Sequence, residues 1–199
     1  MLRHLRYGSP VAVCAMATAP LAEAALHAAA VAHLARYATT QAGLLRVLNR
    51  RIDRWARTQE EPEAELIATA RAAARIVVGK LAVQGLIDDG AFAASRARKL
   101  IRGGRSRQAI AAHLAARGVA RETSSLALPE DADAEFAAAI ICTKRRRIGP
   151  FRRAEVDTEG RNRELAMLAR AGFPRDIALR ALACLPDEAD SIINALRQP

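Results

Sequence analysis

Apolar residues recur along most of this chain at the three- and four-residue spacing of one helix face. One such stripe runs through residues 39–56 and consists of Leu44, Leu48, Ile52 and Trp55. A second stripe ends shortly before Gly85 and consists of Leu66, Ala70, Ala73, Val77 and Leu81. Runs of β-branched residues, which strands favour, are missing. The pattern therefore predicts an all-α protein.

Short polar residues predict where several helices begin. Thr39 or Thr40 precedes the first stripe, and Ser106 follows a glycine pair, so each stands where a side-chain oxygen caps a helix. Asp88 and Asp89 also stand at a predicted helix start. Because no histidine or glutamate is near them in sequence, we expect them to cap that helix rather than to act as acid–base or metal groups.

An internal repeat links three helix ends. The segments LNRRI (48–52), LAARGV (114–119) and LARAGF (168–173) each place a leucine three residues before an arginine or alanine. They start 66 and 54 residues apart, which implies about three helices per repeat. One such unit cannot bury its apolar face, whereas stacked units form a continuous core. We predict tandem three-helix repeats, about nine short helices in total, that form a curved, elongated array.

Acidic stretches that contain proline separate these helical groups, at residues 58–65 and 129–135. With the helix starts, they predict a poorly ordered N-terminal extension at 1–20, repeat 1 at 21–87, repeat 2 at 88–140 and repeat 3 at 141–199. The helix that follows Gly118 is poor in leucine and isoleucine, so its length and packing are the least defined by the pattern.

Charge adds a functional indication. The chain has 31 basic and 21 acidic residues, a formal charge of +10, which suggests either a polyanionic partner or simple solubility. No acidic residue lies between Gly90 and Arg121, although a solvated helix face usually mixes charges. In KRRRIGPFRR (144–153), six of ten residues are basic. We expect these two clusters to bind a partner through Arg96, Arg98, Lys99, Arg102, Arg105, Arg107, Arg117, Lys144, Arg145, Arg146, Arg147, Arg152 and Arg153.

The kind of partner is left open by the residues. Arginine guanidinium groups suit phosphate and carboxylate equally. Neither cluster has interleaved aromatic residues, which disfavours a surface that stacks the bases of a single strand. A solvated basic face that binds nothing is the alternative for both clusters.

Other chemistries find little support. The three cysteines and four histidines are scattered without metal-ligand spacing, so neither a zinc site nor a disulfide framework is expected. Phosphate loops, HExxH and GxSxG motifs are missing, and we predict a non-enzyme without a catalytic site, metal or cofactor.

The basic, alanine-rich N-terminus resembles a secretory signal with cleavage after Ala24, but Pro10 and Pro20 bracket its apolar run. A cytoplasmic protein without membrane contact is the preferred interpretation.

The segment LIDDGAFAASRARKLIRGGRSRQAIAAHLAARGV (86–119) resembles the signature of the bacterial RecX regulatory proteins. The matching elements are Gly85 to Asp89, Phe92 and Ala93, the basic arm Arg96 to Arg102, the Gly103–Gly104 turn, Ile110, Leu114, Arg117 and Gly118. The turn reads GGRS, where the family more often has Gly-Lys-Gly or Gly-Lys-Ser. The resemblance extends to residues 32–51 and to RRRIGPFRR with ELAMLARAGFPRDIALRAL, and so covers about 21–196.

This resemblance implies a small cytoplasmic protein, a monomer of tandem three-helix repeats, that binds the RecA recombinase. It further implies binding along the groove of the RecA–DNA filament and restraint of filament extension, ATP hydrolysis and strand exchange, with effects on DNA repair and the SOS response. No catalytic residue or cofactor belongs to the family. A general DNA-binding or nucleoid-associated helical protein, which contacts only the phosphate backbone, is the alternative, and an exported basic protein is a third.

Overall fold

A computed structural model describes residues 21–128 and 130–196, which form ten α-helices, one 3-10 turn and no strand. The helices are α1 (Glu23–Leu34), α2 (Gln41–Ala56), α3 (Ala64–Val83), α4 (Asp89–Arg102), α5 (Arg107–Ala116), α6 (Arg121–Ala127), α7 (Ala132–Arg146), α8 (Thr158–Arg170), α9 (Arg175–Ala183) and α10 (Pro186–Ala195), with the 3-10 turn at Gly149–Phe151. The all-α prediction is confirmed, with ten helices in the described chain instead of about nine. The extension at 1–20, with its possible secretory signal, lies outside the described residues.

The chain divides into two compact units, one ending at Asp88 and the other beginning at Asp89. In the first unit α1, α2 and α3 pack against one another. Their largest fully buried side chains are Leu26, Leu44, Leu48, Ile52, Val77 and Leu81, whereas Trp55, Leu66 and Ala73 of the predicted stripes are only partly buried. Thr40 caps α2, because its Oγ1 accepts a hydrogen bond from the Gly43 N–H at 2.9 Å.

The second unit begins with a three-helix group, α4 to α6. Ala93 and Ala97 are buried on α4 and let it approach α5 and α6 closely, where Ile110 and Leu114 are fully buried. Phe92 is half-buried at the edge of this core. The uncertain helix after Gly118 is short, since α6 spans only Arg121–Ala127.

The remaining helices, α7 to α10, surround a larger core in the same unit. α7 packs against α9 and α10 and against the 3-10 turn. Its buried side chains include Phe136 and Ile140, which share one hydrophobic core with Leu168 of α8 and Ile177 of α9. α7 is continuous through residues 140 and 141, where the boundary between repeats 2 and 3 is predicted. That division stays a prediction, and the break between helices that lies nearest to it follows Arg146.

Helices α5 and α8 end in the same way, as the internal repeat predicts, but the segment LNRRI (48–52) lies inside α2 and is not a helix end. The Val119 N–H donates to the Leu114 carbonyl at 3.1 Å, and the Phe173 N–H donates to the Leu168 carbonyl at 3.2 Å. The residue before each donor has a positive φ, as helix ends of this type require. At the ends of α3, α4, α5 and α8 that residue is a glycine, namely Gly85, Gly104, Gly118 and Gly172. At the end of α7 it is Arg147, with φ 56°.

Candidate functional site

The fold brings the two basic clusters together. Arg145, in the last turn of α7, donates from Nη1 to the carbonyl oxygen of Gly103 at 2.6 Å. The turn after α4 lies directly on α7, because a Cβ added at Gly104 would be 2.8 Å from Ile141 Cγ2 and 2.9 Å from the Cys142 nitrogen. Glycine is therefore required at this position by close approach as well as by its φ of +71°.

The result is one basic area, built from the ends of α4 and α7 and the turn between α4 and α5. We call it the convergent basic surface; its members, all exposed, are Arg98, Lys99, Arg102, Arg105, Arg145, Arg146 and Arg147. On α4 the exposed side chains lie opposite Ala93 and Ala97, so burying the alanine face directs the basic face to solvent. Seven exposed basic residues near the junction of the two helix ends raise the local positive potential.

Helix dipoles explain why some of these basic residues are placed at helix ends. Cations are stabilised at helix C-termini, and both α4 and α7 end at this surface. Arg105 lies beyond the end of α4, however, and Arg147 has a left-handed backbone conformation that costs about 1–2 kcal/mol for a residue with a Cβ. Stability alone favours glycine at position 147, so the fold does not explain an arginine there.

Arg96 contacts its own chain. Its Nε donates to Nε2 of His113 on α5 at 3.1 Å, so the imidazole accepts as the neutral form. Burial lowers the pKa of His113 below its ordinary 6.5, and the charges of Arg96, Arg117 and Arg105 lower the pKa further. Arg96 therefore ties α4 to α5, while Arg117 is exposed nearby.

Arg107 has a structural role that its sequence position does not reveal. Its backbone N–H donates to the carboxylate of Glu135 at 2.9 and 3.2 Å, and its Nε donates to the Leu128 carbonyl at 2.9 Å. Its Nη1 lies 3.5 Å from Glu130 Oε1. Burial raises the pKa of Glu135, although the N–H and the charge of Arg107 oppose that shift. These contacts hold the start of α5 against α7.

Arg152 is likewise engaged within the fold. Its Nη2 donates to Glu164 Oε2 at 2.6 Å, and the same carboxylate oxygen accepts from the Gly149 N–H at 3.3 Å. Glu164 is buried on α8, so the pair ties the 3-10 turn to that helix. Lys144 donates to Asp190 of α10 at 2.8 Å and lies over the Phe151 ring, whereas Arg153 is exposed after the turn.

Contacts between residues that are distant in sequence, such as those of Arg107 and Arg152, could not be predicted from the sequence. Ser106 caps α5 as predicted, accepting from the Ala109 N–H at 3.2 Å, but it also donates to the Ala171 carbonyl at 2.6 Å. The sequence pattern does not predict the roles of Glu135 and Glu164. In the sequence, each of these glutamates is an isolated carboxylate on an otherwise apolar helix face. Many exposed glutamates show the same pattern.

Within the described ranges, no group of three or more histidine, cysteine or acidic side chains is arranged to hold a metal ion. Cys142 is buried and Cys184 half-buried, and both are free thiols. Burial and the neighbouring Glu188 raise the pKa of Cys184 to about 11, which keeps the thiol protonated and unreactive. In the same ranges no helix combines the length and apolar character needed to cross a membrane.

Comparison with known proteins gives consistent matches. Residues 88–128, which hold α4 to α6, match the family described as "RecX, second three-helix domain". The chain is 37% identical over 164 residues to "Regulatory protein RecX" of Myxococcus xanthus, covering 81% of this chain and 86% of that protein. It is 37% identical over 108 residues to the protein of the same name from Agrobacterium fabrum, covering 54% and 58% of the two chains.

A solved structure shares the fold. It is titled "Crystal structure of regulatory protein RecX" and superimposes with a TM-score of 0.59 at 20% identity, covering 88% of this chain and 78% of that one. At this identity the likeness concerns the fold.

Proposed function

The chain belongs to the RecX family of regulatory proteins, and from that premise we propose that it binds the RecA recombinase and the RecA–DNA filament. Bound there, it restrains recombinase activity and ATP hydrolysis by RecA. Such restraint limits recombinational DNA repair and the SOS response in the cytoplasm. The protein acts as a monomer, without a catalytic step or a cofactor.

The observation that carries this proposal is the convergent basic surface. Its two halves lie about forty residues apart in sequence and meet through the hydrogen bond from Arg145 to Gly103. Crowded like charges repel one another, so the arrangement is favoured when an anion occupies it. Arginine forks bind phosphate oxygens and carboxylates with similar geometry, and a nucleoprotein filament offers both.

Inhibition then follows from binding. A protein that lies on one state of a filament more tightly than on the others shifts the population toward that state. If the favoured state is one that neither extends nor turns over ATP, restraint needs no chemistry by the bound protein. The residues that we propose for this contact are the members of the convergent basic surface. Arg117 and Arg153, which lie outside that surface, are proposed as additional contacts.

DNA-dependent ATP hydrolysis by RecA provides the test. We expect the protein, at less than one molecule per RecA, to slow hydrolysis. The double variant Arg102→Ala/Arg105→Ala should lose most of this effect. Arg170→Ala/Arg175→Ala is the matched control, because it removes the same charge from exposed positions at the α8–α9 junction. Unchanged hydrolysis at a one-to-one ratio would contradict the proposal.

A second candidate function is general DNA binding without RecA. The lack of aromatic residues among the basic residues of the surface favours contact with the phosphate backbone and not with bases. The two functions differ in partner preference. Binding to preformed RecA–DNA filaments that is no tighter than binding to the same DNA without RecA, at equal salt, would favour this second function.

A further inference from the structure

Helix α3 has an apolar face that its own unit does not use. The core face of α3 includes Ala74, Val77 and Leu81, which are fully buried. Half a turn around the helix lies what we call the α3 seam, spaced by four, three and four residues: Ala72, Ile76, Gly79 and Val83. All four are exposed; Ile76 is 51% and Val83 91% exposed. This spacing is that of a helix-to-helix seam.

Gly79 is not explained by the fold. It lies in the interior of α3, where glycine weakens a helix relative to alanine. It is not among the residues with positive φ, and a Cβ added to it would meet nothing within 4 Å. Neither backbone conformation nor internal packing requires glycine here. A missing side chain between Ile76 and Val83 does leave room for the backbone or a large side chain of another molecule.

The charges beside the seam are positive. Arg71 and Arg75 flank one side of it and Lys80 the other, and the one acidic residue of α3 is Glu65 in its first turn. Arg71 pairs with Asp53 of α2 at 2.8 Å and Lys80 with Glu23 of α1, and these exposed pairs are weak enough to exchange partners. A helix with carboxylates along its flanks therefore complements this face.

Charge disfavours a second copy of the chain as the occupant. Self-association would bring together two chains that each carry a charge of +10. From Ala72 to Val83 the seam is about 16 Å long at the rise of an α-helix, which is the length of about three turns of a partner helix.

We propose that the α3 seam docks a short amphipathic helix of a partner protein, with large aliphatic side chains on its apolar stripe and carboxylates on its flanks. The aliphatic side chains lie over Gly79 between Ile76 and Val83, and a carboxylate meets Arg75. This inference stands independently of the proposed function, because the seam lies in the first unit and the convergent basic surface in the second.

A defined peptide tests the proposal. The probe is a fluorescently labelled 21-residue helical peptide (about six turns) with leucine and alanine at heptad positions a and d and glutamate at e and g. Its binding to the full chain is followed by fluorescence anisotropy. The comparison peptide has lysine in place of every glutamate. We expect saturable binding of the glutamate peptide and at least about tenfold weaker binding of the lysine peptide.

Variants locate the binding face. Val83→Glu and Ile76→Glu place a charge in the seam and should each weaken peptide binding about tenfold or more. Leu126→Glu is the matched control, since Leu126 is 86% exposed on α6, and should bind as the unmodified protein does. Gly79→Ala should raise the melting temperature while weakening binding, an opposition that a purely structural glycine would not produce.

Three outcomes would overturn the proposal. The first is that the two peptides bind equally well or that neither binds. The second is that Leu126→Glu and Val83→Glu lose binding equally. The third is that the unmodified protein sediments as a dimer and that Val83→Glu converts it to a monomer. The last result would assign the seam to a second copy of the chain.

Discussion

Arg145 donates a hydrogen bond from Nη1 to the carbonyl oxygen of Gly103 at 2.6 Å, and so joins the ends of α7 and α4. The Gly103 carbonyl lies just past the end of α4, where carbonyl groups lack partners within the helix. One guanidinium therefore satisfies a backbone acceptor and fixes the distance between two basic segments. This contact, together with the close approach of Gly104 to Ile141, holds the two segments of the convergent basic surface side by side.

The first prediction concerns salt. If Arg102 and Arg105 contact phosphate, the slope of log binding constant against log salt concentration should decrease by about two in Arg102→Ala/Arg105→Ala, at roughly 0.9 per lost phosphate contact. Binding to a labelled DNA duplex at several salt concentrations measures that slope. In Arg170→Ala/Arg175→Ala the slope should stay within about half a unit of the unmodified protein. An equal decrease in both variants would mean that charge alone, and not this surface, governs binding.

The second prediction separates stability from binding at Arg147. Glycine adopts the φ of 56° without strain, so Arg147→Gly should stabilise the protein against urea by about 1 kcal/mol. The same change should weaken binding to RecA filaments or DNA, because a guanidinium of the surface is lost. Arg147→Lys keeps both the charge and the strained backbone, and should leave stability nearly unchanged. A stabilised Arg147→Gly variant with full binding would place Arg147 outside the interface.

Local features of this fold were predictable from sequence because local physics determines them. The stripe of Leu44, Leu48 and Ile52 identifies a buried helix face, and Thr40 and Ser106 cap helices as their side chains allow. The repeated ends of α5 and α8 were also visible, since glycine is the residue that a left-handed helix end favours.

The arrangement of the basic residues was not predictable in the same way. That Arg145 reaches Gly103 depends on how α7 packs against α4, and no spacing along the chain encodes that packing. Arg107 and Arg152 look like members of the basic clusters in sequence. Only the fold places the carboxylates of Glu135 and Glu164 beside them.

The third prediction concerns the buried pair of Arg152 and Glu164. Glu164→Gln leaves a partly buried guanidinium without its counter-charge and should lower the free energy of unfolding by about 2–4 kcal/mol. Glu159→Gln is the control on the same helix: its pair with Arg163 is exposed and 3.8 Å long, and its loss should cost less than about 0.5 kcal/mol.

Urea unfolding followed by circular dichroism measures both changes. Adding Arg152→Met to Glu164→Gln should recover much of the loss, since no uncompensated charge stays buried and the glutamine keeps an acceptor for the Gly149 N–H. A double variant less stable than Glu164→Gln would show that the two side chains act separately.

The last prediction is a pH dependence from His113. Its imidazole accepts a hydrogen bond from Arg96 Nε, and burial together with Arg96, Arg117 and Arg105 holds its pKa in the folded protein below 6.5. As pH falls through about 6.5, the unfolded chain binds a proton that the folded protein does not yet bind, so stability decreases. The loss ends once pH passes below the pKa of the folded state.

The variant His113→Gln keeps a neutral acceptor for Arg96. It should therefore reduce the pH dependence of the urea midpoint between about pH 7.5 and 5. The raised pKa of Glu135 acts in the opposite direction, but it is common to both proteins and cancels in their difference. His27→Gln, at an exposed position on α1, should keep the slope of the unmodified protein. A His113→Gln variant that loses stability with falling pH as steeply as the unmodified protein would show that another group carries the dependence.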